Sequence, residues 1–352
     1  MVTMLRLPAG CTGIVVVDDV RLGPAIGGLR MTDEVTPAEV ARLARAMTLK
    51  SAAALLPHGG AKAGIHTPGP LDPATRQSVI RAFADGIRRL TDYVPGPDMG
   101  TDEMAMAWIH DEIGRAVGLP AVLGGIPLDT VGATGYGLLV CARALSEAGR
   151  LELAGSRAAI QGFGAVGRHA ARFLHDDGVI VVAVADRSAT IYDPGGLDVA
   201  ALAEFNARQP LVEYDGAKVM PREDVLSIDC ELLIPAAQPD VLRADNVDAV
   251  AAEVVLPGAN IATTPEAEAA LHSRGVLCVP DFLANAGGVI CAAVEYRGGT
   301  RREAFAMIED RIRTNTLEML DRMTATGVLP RAAAEAMALA RLTEAATYQR
   351  QF

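Results

Sequence analysis

The apolar residues of this chain alternate between short continuous runs and stretches with helical spacing. The runs at 14–17, 157–161 and 179–185 are rich in valine, isoleucine and alanine and are bounded by polar residues or glycine, which is typical of buried strands. The residues from about 302 to 350 have helical spacing with one break at 327–330. Strands that alternate with helices predict an α/β fold with a parallel sheet.

Signals for the ends of helices divide the first half of the chain further. Thr36 and Glu39 form a capping box around Pro37, so a helix is predicted from there to about Ala54. Acidic residues at 102 and 103 predict the first turn of another helix. Glycine, proline and apolar spacing predict the remaining segments: a loop at 23–28, a Gly-rich turn at 58–65, a helix at 78–90 and a stiff loop at 93–100.

Two lysines, twelve residues apart, lie at positions that penalise a positive charge. Lys50 shares its helical face with apolar residues that fall within about 60° of it on a helix wheel: Leu43, Ala46, Met47 and Ala54. Lys62 lies inside the Gly-rich turn, where the nearby backbone can exclude water from its ammonium group. Desolvation suits a lysine to proton transfer. The ordinary alternatives are a lysine that reaches water from a helix edge and a solvated loop lysine.

The second half of the chain carries its most specific motif, a Gly-x-Gly-x-x-Gly sequence between a predicted strand and a predicted helix. It reads Gly162-Phe163-Gly164-Ala165-Val166-Gly167, and the next strand ends at Asp186, nineteen residues after the third glycine. Such glycines let the backbone approach a pyrophosphate at the positive end of the helix, while the acid accepts hydrogen bonds from a ribose 2′-hydroxyl. The motif predicts a dinucleotide site that favours NAD, and Arg187, directly after the acid, leaves NADP open.

Further strands are predicted at 230–237, 254–260 and 275–280. In an open α/β sheet the ligand lies at the carboxyl ends of the strands. Four more residues near such ends, or near the start of the helix at 131–148, are therefore assigned to the cofactor site: Thr134, Ala236, Asn260 and Asn285. For the two asparagines, ordinary turn chemistry is the alternative.

The composition excludes several classes of protein. The formal charge is −11 and no basic stripe is present, which argues against a nucleic-acid partner. No window approaches the roughly 18 consecutive apolar residues of a membrane span. The five cysteines are widely spaced without a C-x-x-C pair, and the histidines form no metal-spaced cluster, so neither a disulfide framework nor a metal site is predicted. A cytoplasmic location is expected.

Taken together, the motifs resemble those of the glutamate/leucine/phenylalanine/valine dehydrogenase family over nearly the whole chain. Eight blocks occur in the family's order: Gly23-Pro-x-x-Gly-Gly-Leu-Arg30, Met47-Thr-Leu-Lys50, Pro57-x-Gly-Gly-Ala-Lys62, Gly96-Pro-Asp98-Met, Gly132-Ala-Thr134-Gly, Gly162-Phe-Gly-Ala-Val-Gly167, Pro257-Gly-Ala-Asn260 and Pro280-Asp-x-x-Ala-Asn285-Ala-Gly-Gly. The resemblance implies reversible, NAD(P)-dependent oxidative deamination of an L-amino acid to the 2-oxo acid and ammonia.

The resemblance also implies roles for single residues. Lys50 becomes the residue that binds the substrate α-carboxylate, and Lys62 becomes the catalytic lysine. Asp98, which its position alone leaves open as an ordinary turn aspartate, becomes the catalytic carboxylate. Gly28, in the first block, becomes part of the substrate site.

Two positions separate this chain from glutamate-specific members of that family. Those members carry a lysine twenty-four residues before the carboxylate lysine, where this chain has Ile26, and a serine seven residues after the asparagine of Asn-Ala-Gly-Gly, where it has Ala292. Without both partners, a buried substrate carboxylate would cost on the order of several kcal/mol. An apolar substrate such as leucine, valine or phenylalanine is expected. Glutamate stays the alternative, because 134–137 and 293–296 are closer to glutamate enzymes.

The predicted architecture is two α/β domains with a cleft between them. A substrate-binding and catalytic domain is expected at 1–126, a Rossmann NAD-binding domain at 127–300, and C-terminal helices at 301–352 that pack back toward the cleft. A homo-oligomer is expected. A different class of function stays open, a non-catalytic dinucleotide-binding regulator on the same fold, in which Lys62 has no role in turnover.

Overall fold

The structure, a computed structural model, describes residues 1–348 and divides into two compact units. Among the described residues, the first unit contains 1–131, 289–307 and 336–348, and the second contains 132–288 and 308–335. The predicted domain limits at 126–127 and 300–301 do not coincide with these divisions. The last residues of the predicted C-terminal segment, 349–352, lie outside the described residues.

The first unit is built on one mixed sheet. Its strands are β1 (Val2–Arg6), β2 (Thr12–Asp19), β3 (Ala25–Thr32), β4 (Gly60–His66) and β5 (Tyr93–Pro97). Its first helices are α1 (Pro37–Ala53), α2 (Pro73–Gly86), α3 (Glu103–Ile113) and α4 (Leu128–Val131). The strand order is β1-β2-β4-β3-β5, in which β3, β4 and β5 are parallel and β2 is antiparallel to both of its neighbours.

Helices cover both faces of this sheet. One face packs on α2 and α3 through a core that includes Leu29, Ala63, Phe83 and Met106. The other face packs on α1 through a smaller cluster: Ile14, Val16, Val35, Val40 and Ala44. Because successive side chains of a strand point to opposite faces, Lys62 lies on the face that α1 covers, as do Gly28 and Arg30.

Three segments that were predicted as loops or turns form strands instead, and those predictions were wrong. Most of 23–28 belongs to β3, most of 58–65 to β4, and 93–97 form β5. Gly27 and Gly60 in these segments serve close packing rather than a turn. A Cβ atom on Gly27 would lie 2.0 Å from the carbonyl oxygen of Ala61, and one on Gly60 would lie 2.1 Å from the backbone nitrogen of Thr48 on α1.

The predicted starts of helices α1 and α3 agree with the structure. Helix α1 begins at Pro37, and the Thr36 hydroxyl accepts a hydrogen bond from the Glu39 backbone N–H, as the capping box predicts. Helix α3 is capped by Asp102. The helix predicted at 78–90 begins earlier, at Pro73, because Asp72 caps it with hydrogen bonds from the N–H groups of the first turn.

The second unit is a doubly wound α/β domain. Its strands are β6 (Arg157–Gln161), β7 (Ile180–Ala185), β8 (Thr190–Tyr192), β9 (Lys218–Met220), β10 (Leu232–Pro235), β11 (Val254–Val255) and β12 (Leu277–Cys278). Its order is β12-β11-β10-β6-β7-β8-β9, parallel from β12 to β7. Antiparallel β8 and β9 extend one edge. The predicted α/β fold with a Rossmann domain is confirmed.

Helices complete the second unit and the C-terminal part of the chain. They are α5 (Ala133–Glu147), α6 (Ala165–Asp176), α7 (Val199–Asn206), α8 (Pro265–Ser273), α9 (Asp281–Ala284), α10 (Gly287–Tyr296), α11 (Arg301–Thr326) and α12 (Pro330–Thr347). The predicted break at 327–330 separates α11 from α12. Residues 349 and 350 of the predicted helical stretch lie outside the described residues.

Candidate active site

Lys62 and Asp98 form a buried ion pair in the first unit. The Nζ atom of Lys62 lies 2.8 Å from Oδ2 of Asp98, and the Lys62 side chain is only 3% exposed. Lys62 is on β4, and Asp98 directly follows β5, so the parallel strands β4 and β5 bring the two residues to either side of β3. Gly28 on β3 leaves the room they need, since a Cβ atom there would lie 3.1 Å from Lys62 Nζ and 2.9 Å from Asp98 Cβ.

Arg30 is a further member of this site that the sequence analysis did not single out. Its Nε atom donates to Oδ2 of Asp98 at 3.0 Å, and its guanidinium group also pairs with Glu39 on α1. Arg30 lies on the same face of β3 as Gly28. Alternation along a strand would have indicated this, but 23–28 were predicted as a loop and no strand was predicted at Arg30.

Two cations and burial set the protonation state of Asp98. Burial alone would raise the pKa of this carboxyl group, but the charges of Lys62 and Arg30 and their hydrogen bonds lower it to about 2. Asp98 is therefore a carboxylate at neutral pH. Because this pKa lies below the ordinary value of 3.8, the pairing stabilises the folded state above about pH 4, and that contribution is lost as the pH falls towards 2.

The loop after β5 fixes the backbone of Asp98. Its N–H donates to the Thr101 hydroxyl at 3.0 Å, and that hydroxyl donates to the Leu29 carbonyl at 2.7 Å. Within residues 1–348, the hydrogen bonds to the Asp98 carboxylate both end on Oδ2. The side chain is thus held by cations and not by its own turn, and Oδ1 has no protein donor in this part of the chain.

The other residues predicted for the substrate site are buried in the same unit. Lys50, in the last turn of α1, is 5% exposed, as its helical face predicts. Ile26 on β3 and Ala292 on α10 are each 3% exposed. The C-terminal turn of α1 is held by Arg341 of α12, which donates to the carbonyl oxygens of Ala52 and Ala53. The structure brings Lys62 and Asp98 into direct contact beside Gly28.

The glycine motif in the second unit has the shape that a dinucleotide requires. Gly162 has a positive φ of 99° and Gly167 packs so tightly that a Cβ atom would lie 1.8 Å from the Gly162 carbonyl oxygen. Gly164, at the start of α6, has no atom within 4 Å of where its Cβ would be. The first and third glycines therefore build the strand-to-helix turn, and the second leaves open space at a helix N-terminus.

Two buried amide oxygens in this unit have no hydrogen-bond partner among residues 1–348. They are Oε1 of Gln161, at the end of β6, and Oδ1 of Asn285, whose Nδ2 donates to the Gly258 carbonyl at 3.3 Å. An unpaired buried acceptor costs free energy unless a ligand supplies a donor. With the open space at Gly164, these atoms make the second unit fit a dinucleotide. Gln161 was not predicted, although it directly precedes the motif.

The remaining predicted cofactor residues lie at the expected ends of elements. Thr134 is in the first turn of α5, Ala236 follows β10 and donates its N–H to the Gln161 carbonyl, and Asn260 lies beyond β11. Phe163 is buried, whereas Arg187 is exposed after β7.

Asp186 is already occupied by protein donors. Its Oδ1 accepts from Ser188 and Ala189, and its Oδ2 accepts from the Leu211 N–H at 2.9 Å and from Asn206 Nδ2 at 3.1 Å. Burial would raise the pKa of Asp186, but these hydrogen bonds lower it. The carboxylate therefore anchors the segment after α7, and the predicted contact with a ribose hydroxyl stays a prediction.

His58, just before β4, gives the first unit a pH-dependent stability. Burial lowers its pKa below 6.5, partly offset by the hydrogen bond that Nδ1 donates to the Pro24 carbonyl, and its ring packs edge-on against Tyr296. Protonation thus favours the unfolded chain, and the free energy of unfolding is expected to fall as the pH drops below about 6.5. His58→Gln should show a smaller fall in melting temperature between pH 7.5 and 5.5.

The exposed His110 of α3 provides the matched control for this prediction. His110→Gln should retain the pH dependence of the wild type. If His58→Gln and the wild type lose equal melting temperature over this range, His58 is not the group responsible.

Neither a membrane span nor a metal site is found in the described part of the chain. No helix within residues 1–348 is both long and apolar enough to cross a bilayer. Within the same residues, no three or more His, Cys, Asp or Glu side chains are grouped so as to hold a metal ion.

Comparison with protein families matches both halves of the chain. The model of the Glutamate/Leucine/Phenylalanine/Valine dehydrogenase family matches residues 124–350, and that of the Glu/Leu/Phe/Val dehydrogenase dimerisation domain matches residues 5–115. The chain is 36% identical over 315 residues to a glutamate dehydrogenase of Aeropyrum pernix, covering 84% of this chain and 75% of the relative. It is 34% identical over 347 residues to the NAD-specific glutamate dehydrogenase A of Halobacterium salinarum, covering 93% and 79%.

Solved structures agree with the family match over the whole chain. The hetero-hexameric glutamate dehydrogenase of Thermus thermophilus, in a Leu-bound form, is 33% identical with a TM-score of 0.89, covering 100% of this chain and 89% of the other. The L-tryptophan dehydrogenase of Nostoc punctiforme is 25% identical with a TM-score of 0.73, covering 99% and 96%. The chain is therefore an amino-acid dehydrogenase of the glutamate/leucine/phenylalanine/valine dehydrogenase family.

Proposed function

We propose that this enzyme catalyses the reversible, NAD-dependent oxidative deamination of an L-amino acid with an apolar side chain, giving the 2-oxo acid and ammonia. The observation that carries the reaction is the buried contact of 2.8 Å between Lys62 and Asp98 beside the side-chain-free position of Gly28. A cation and an anion at that distance, largely shielded from water, can stabilise a zwitterion and move protons to and from it.

Lys50, Lys62 and Asp98 divide the work on the substrate. Lys50 binds the α-carboxylate. NAD, held by the second unit, would supply the hydride acceptor for Cα, and loss of the hydride would leave an iminium carbon on the substrate. Lys62 assists the attack of water on that carbon and stabilises the charge that develops there. Asp98 is ionised, and its Oδ1 accepts the proton that the substrate amine loses and returns it to the nitrogen as ammonia departs. The attacking water supplies the oxygen of the 2-oxo acid, and its two protons pass to the departing nitrogen and to solvent.

The apolar side chain is inferred from Ile26 and Ala292. Both are buried, and neither offers a charge or a hydrogen bond from its side chain. A glutamate side chain beside them would lose its hydration without gaining a partner, at a cost on the order of several kcal/mol. A leucine, valine or phenylalanine side chain would instead gain from the burial.

Glutamate is the second candidate substrate. The relatives from Aeropyrum pernix and Halobacterium salinarum are named glutamate dehydrogenases at 36% and 34% identity. The similarity to these relatives favours glutamate. The apolar side chains of Ile26 and Ala292 argue against it, because they offer the glutamate side-chain carboxylate no partner.

NAD is the proposed cofactor, with NADP as the alternative. The relative named NAD-specific and the carboxylate at Asp186, which repels a 2′-phosphate, both support this choice. We propose that Gly162, Phe163, Gly164, Ala165, Val166 and Gly167 receive the pyrophosphate. Asn285, through its unpaired Oδ1, would accept a hydrogen bond from the nicotinamide carboxamide.

Two glycine variants separate cofactor binding from folding. Gly164→Ala adds a methyl group to open space, so we expect an unchanged melting temperature and a loss of NAD affinity of at least roughly tenfold, about 1.4 kcal/mol. Gly167→Ala should instead lower the melting temperature, because its methyl group meets the Gly162 carbonyl. Calorimetric titration with NAD and thermal unfolding test both. Wild-type affinity in Gly164→Ala would place the pyrophosphate elsewhere.

A homo-oligomer in the cytoplasm is proposed for the assembled enzyme. The match of residues 5–115 to a dimerisation domain and the hexameric state named for the Thermus thermophilus relative support assembly. All five cysteines are free and buried, which suits a reducing compartment.

The reaction is tested by its stoichiometry. The protein is incubated with NAD and L-leucine, and NADH, ammonia and the 2-oxo acid are each quantified. Equal amounts of the three products are expected. NADH without ammonia would indicate a different oxidation and would contradict the proposed reaction.

A further inference from the structure

Four charged side chains of the first unit form a row in which the sign alternates. Glu39 pairs with Arg30, Arg30 pairs with Asp98 at 3.0 Å, and Asp98 pairs with Lys62 at 2.8 Å. The row begins in the first turn of α1 and ends on β4. Both cations are buried, since the side chains of Arg30 and Lys62 are 7% and 3% exposed.

The burial of Arg30 costs free energy. A buried guanidinium group loses its hydration, and an apolar side chain at this position of the strand would avoid that cost. Its neighbours in β3, Leu29 and Met31, are apolar and belong to the core of the opposite face. A functional role for the contact between Arg30 and Asp98 therefore explains the buried arginine better than core packing does.

The geometry of the guanidinium suits one task, which is to hold Asp98 in a fixed orientation. Nε donates to Asp98, while the far side of the same planar group is held by Glu39. Lysine has a single donor atom on a flexible stem and cannot span the two carboxylates in this way. The Thr101 hydroxyl fixes the Asp98 backbone from the other side.

We infer that Arg30 is a positioning residue for the reaction. It fixes Oδ2 of Asp98 beside Lys62 so that Oδ1 is presented to the substrate amine, and Glu39 holds the guanidinium in place. This inference rests on the proposed function, because it gives Asp98 the role of proton carrier. Arg30 fixes the orientation of the Asp98 carboxylate, which neither lysine nor Asp98 itself does.

The charges around Asp98 agree with this role. Lys62 on β4 and Arg30 on β3 face the carboxylate, and Glu39 on α1 faces Arg30. Burial raises the pKa of the Tyr93 phenol on β5, and the negative charge of Asp98 raises it further. Arg30 supports the ionised form of Asp98, and Glu39 offsets the extra positive charge.

A kinetic double-mutant cycle tests the inference. Arg30→Gln is expected to lower kcat on the order of 10²-fold through misplacement of Asp98, and Asp98→Asn on the order of 10³-fold. Since Arg30 acts through Asp98, the double variant should be no slower than Asp98→Asn alone, within about twofold. Losses that multiply in the double variant would overturn the inference, as would an unchanged kcat in Arg30→Gln.

Three further variants separate positioning from folding. Arg30→Lys retains the charge but not the two-sided contact, so it should restore melting temperature more fully than kcat. Glu39→Gln, on the partly exposed first turn of α1, should fold normally and lower kcat by less than Arg30→Gln; an unchanged kcat would remove Glu39 from the row. The control is Arg81→Gln, which breaks partly exposed pairs with Asp111 and Glu112 in the same unit and should leave kcat unchanged.

A thermal cycle keeps the test independent of the reaction. If the wild type oxidises no amino acid, the proposed function fails, and the coupling of Arg30 to Asp98 is then measured by melting temperature. Arg30→Gln should lower the melting temperature in the wild-type background and lower it less in the Asp98→Asn background, where no carboxylate is left unpaired. Equal falls in the two backgrounds would overturn the inference whatever the enzyme's substrate.

Discussion

Replacing Lys62 with alanine is expected to lower kcat on the order of 10³-fold, while the affinity for NAD stays within about twofold of the wild type. The ammonium group lies 2.8 Å from Asp98, and alanine supplies no cation in its place. The NAD affinity should be preserved because the proposed cofactor residues all belong to the second unit. Steady-state kinetics with L-leucine and calorimetric titration with NAD measure the two quantities.

An exposed lysine provides the matched control for this prediction. Lys218→Ala removes an ammonium group from the surface of β9 and should leave both kcat and NAD affinity unchanged. The alternative of a non-catalytic, dinucleotide-binding regulator makes the opposite prediction for Lys62→Ala. On that account the substitution changes nothing beyond affinity, so a variant with wild-type turnover would remove Lys62 from catalysis.

The second large effect is a change of substrate. Ile26→Lys combined with Ala292→Ser introduces a cation and a hydroxyl at the two positions where the family resemblance implies a lysine and a serine in glutamate-specific members. The ratio of kcat/KM for glutamate to that for leucine should rise on the order of 10³-fold, because a site built around a charged partner discriminates strongly against a substrate that lacks it.

Stability measurements show whether the introduced cation is paired as intended. Ile26 is 3% exposed, so Ile26→Lys should lower the melting temperature in the absence of substrate, and added glutamate should restore more of it than added leucine does. Ile26→Met is the control, since it keeps the position apolar and should keep the preference for leucine. A double variant that gains no activity on glutamate would show that these positions do not contact the substrate side chain.

Local signals in the sequence were sufficient for the ends of several helices and for the dinucleotide turn. The capping box at Thr36 and the proline after it act through the first turn alone, and the structure has the predicted hydrogen bond. The segment from Gly162 to Gly167 is equally local, because the turn, the close packing and the open space all depend on its own glycines. Such features need no knowledge of distant residues.

The strands β3, β4 and β5 were not predicted because glycine is common both in turns and where backbones pack closely together. A Gly-rich segment predicts a turn when its neighbours are unknown, yet here the glycines let strands and α1 approach each other. The carbonyl oxygen that excludes a side chain at Gly27 belongs to Ala61, far away along the chain. Only the tertiary arrangement distinguishes the two cases.

The same error concealed Arg30. Once β3 is a strand, Ile26, Gly28 and Arg30 share one face, and the alternation places a charged residue on the same face as Lys62. The partners of Asp186 were beyond prediction for a different reason. One donor, Asn206, is the last residue of α7, and the other, Leu211, lies in the irregular segment after α7, whose path no local pattern specifies.

The measurement that tests the central claim most directly is a comparison of kcat/KM for all twenty L-amino acids with NAD. Apolar substrates such as leucine, valine or phenylalanine should exceed glutamate on the order of 10²-fold or more, because Ile26 and Ala292 offer a carboxylate no partner. Activity on glutamate that equals or exceeds that on every apolar amino acid would contradict the proposed specificity.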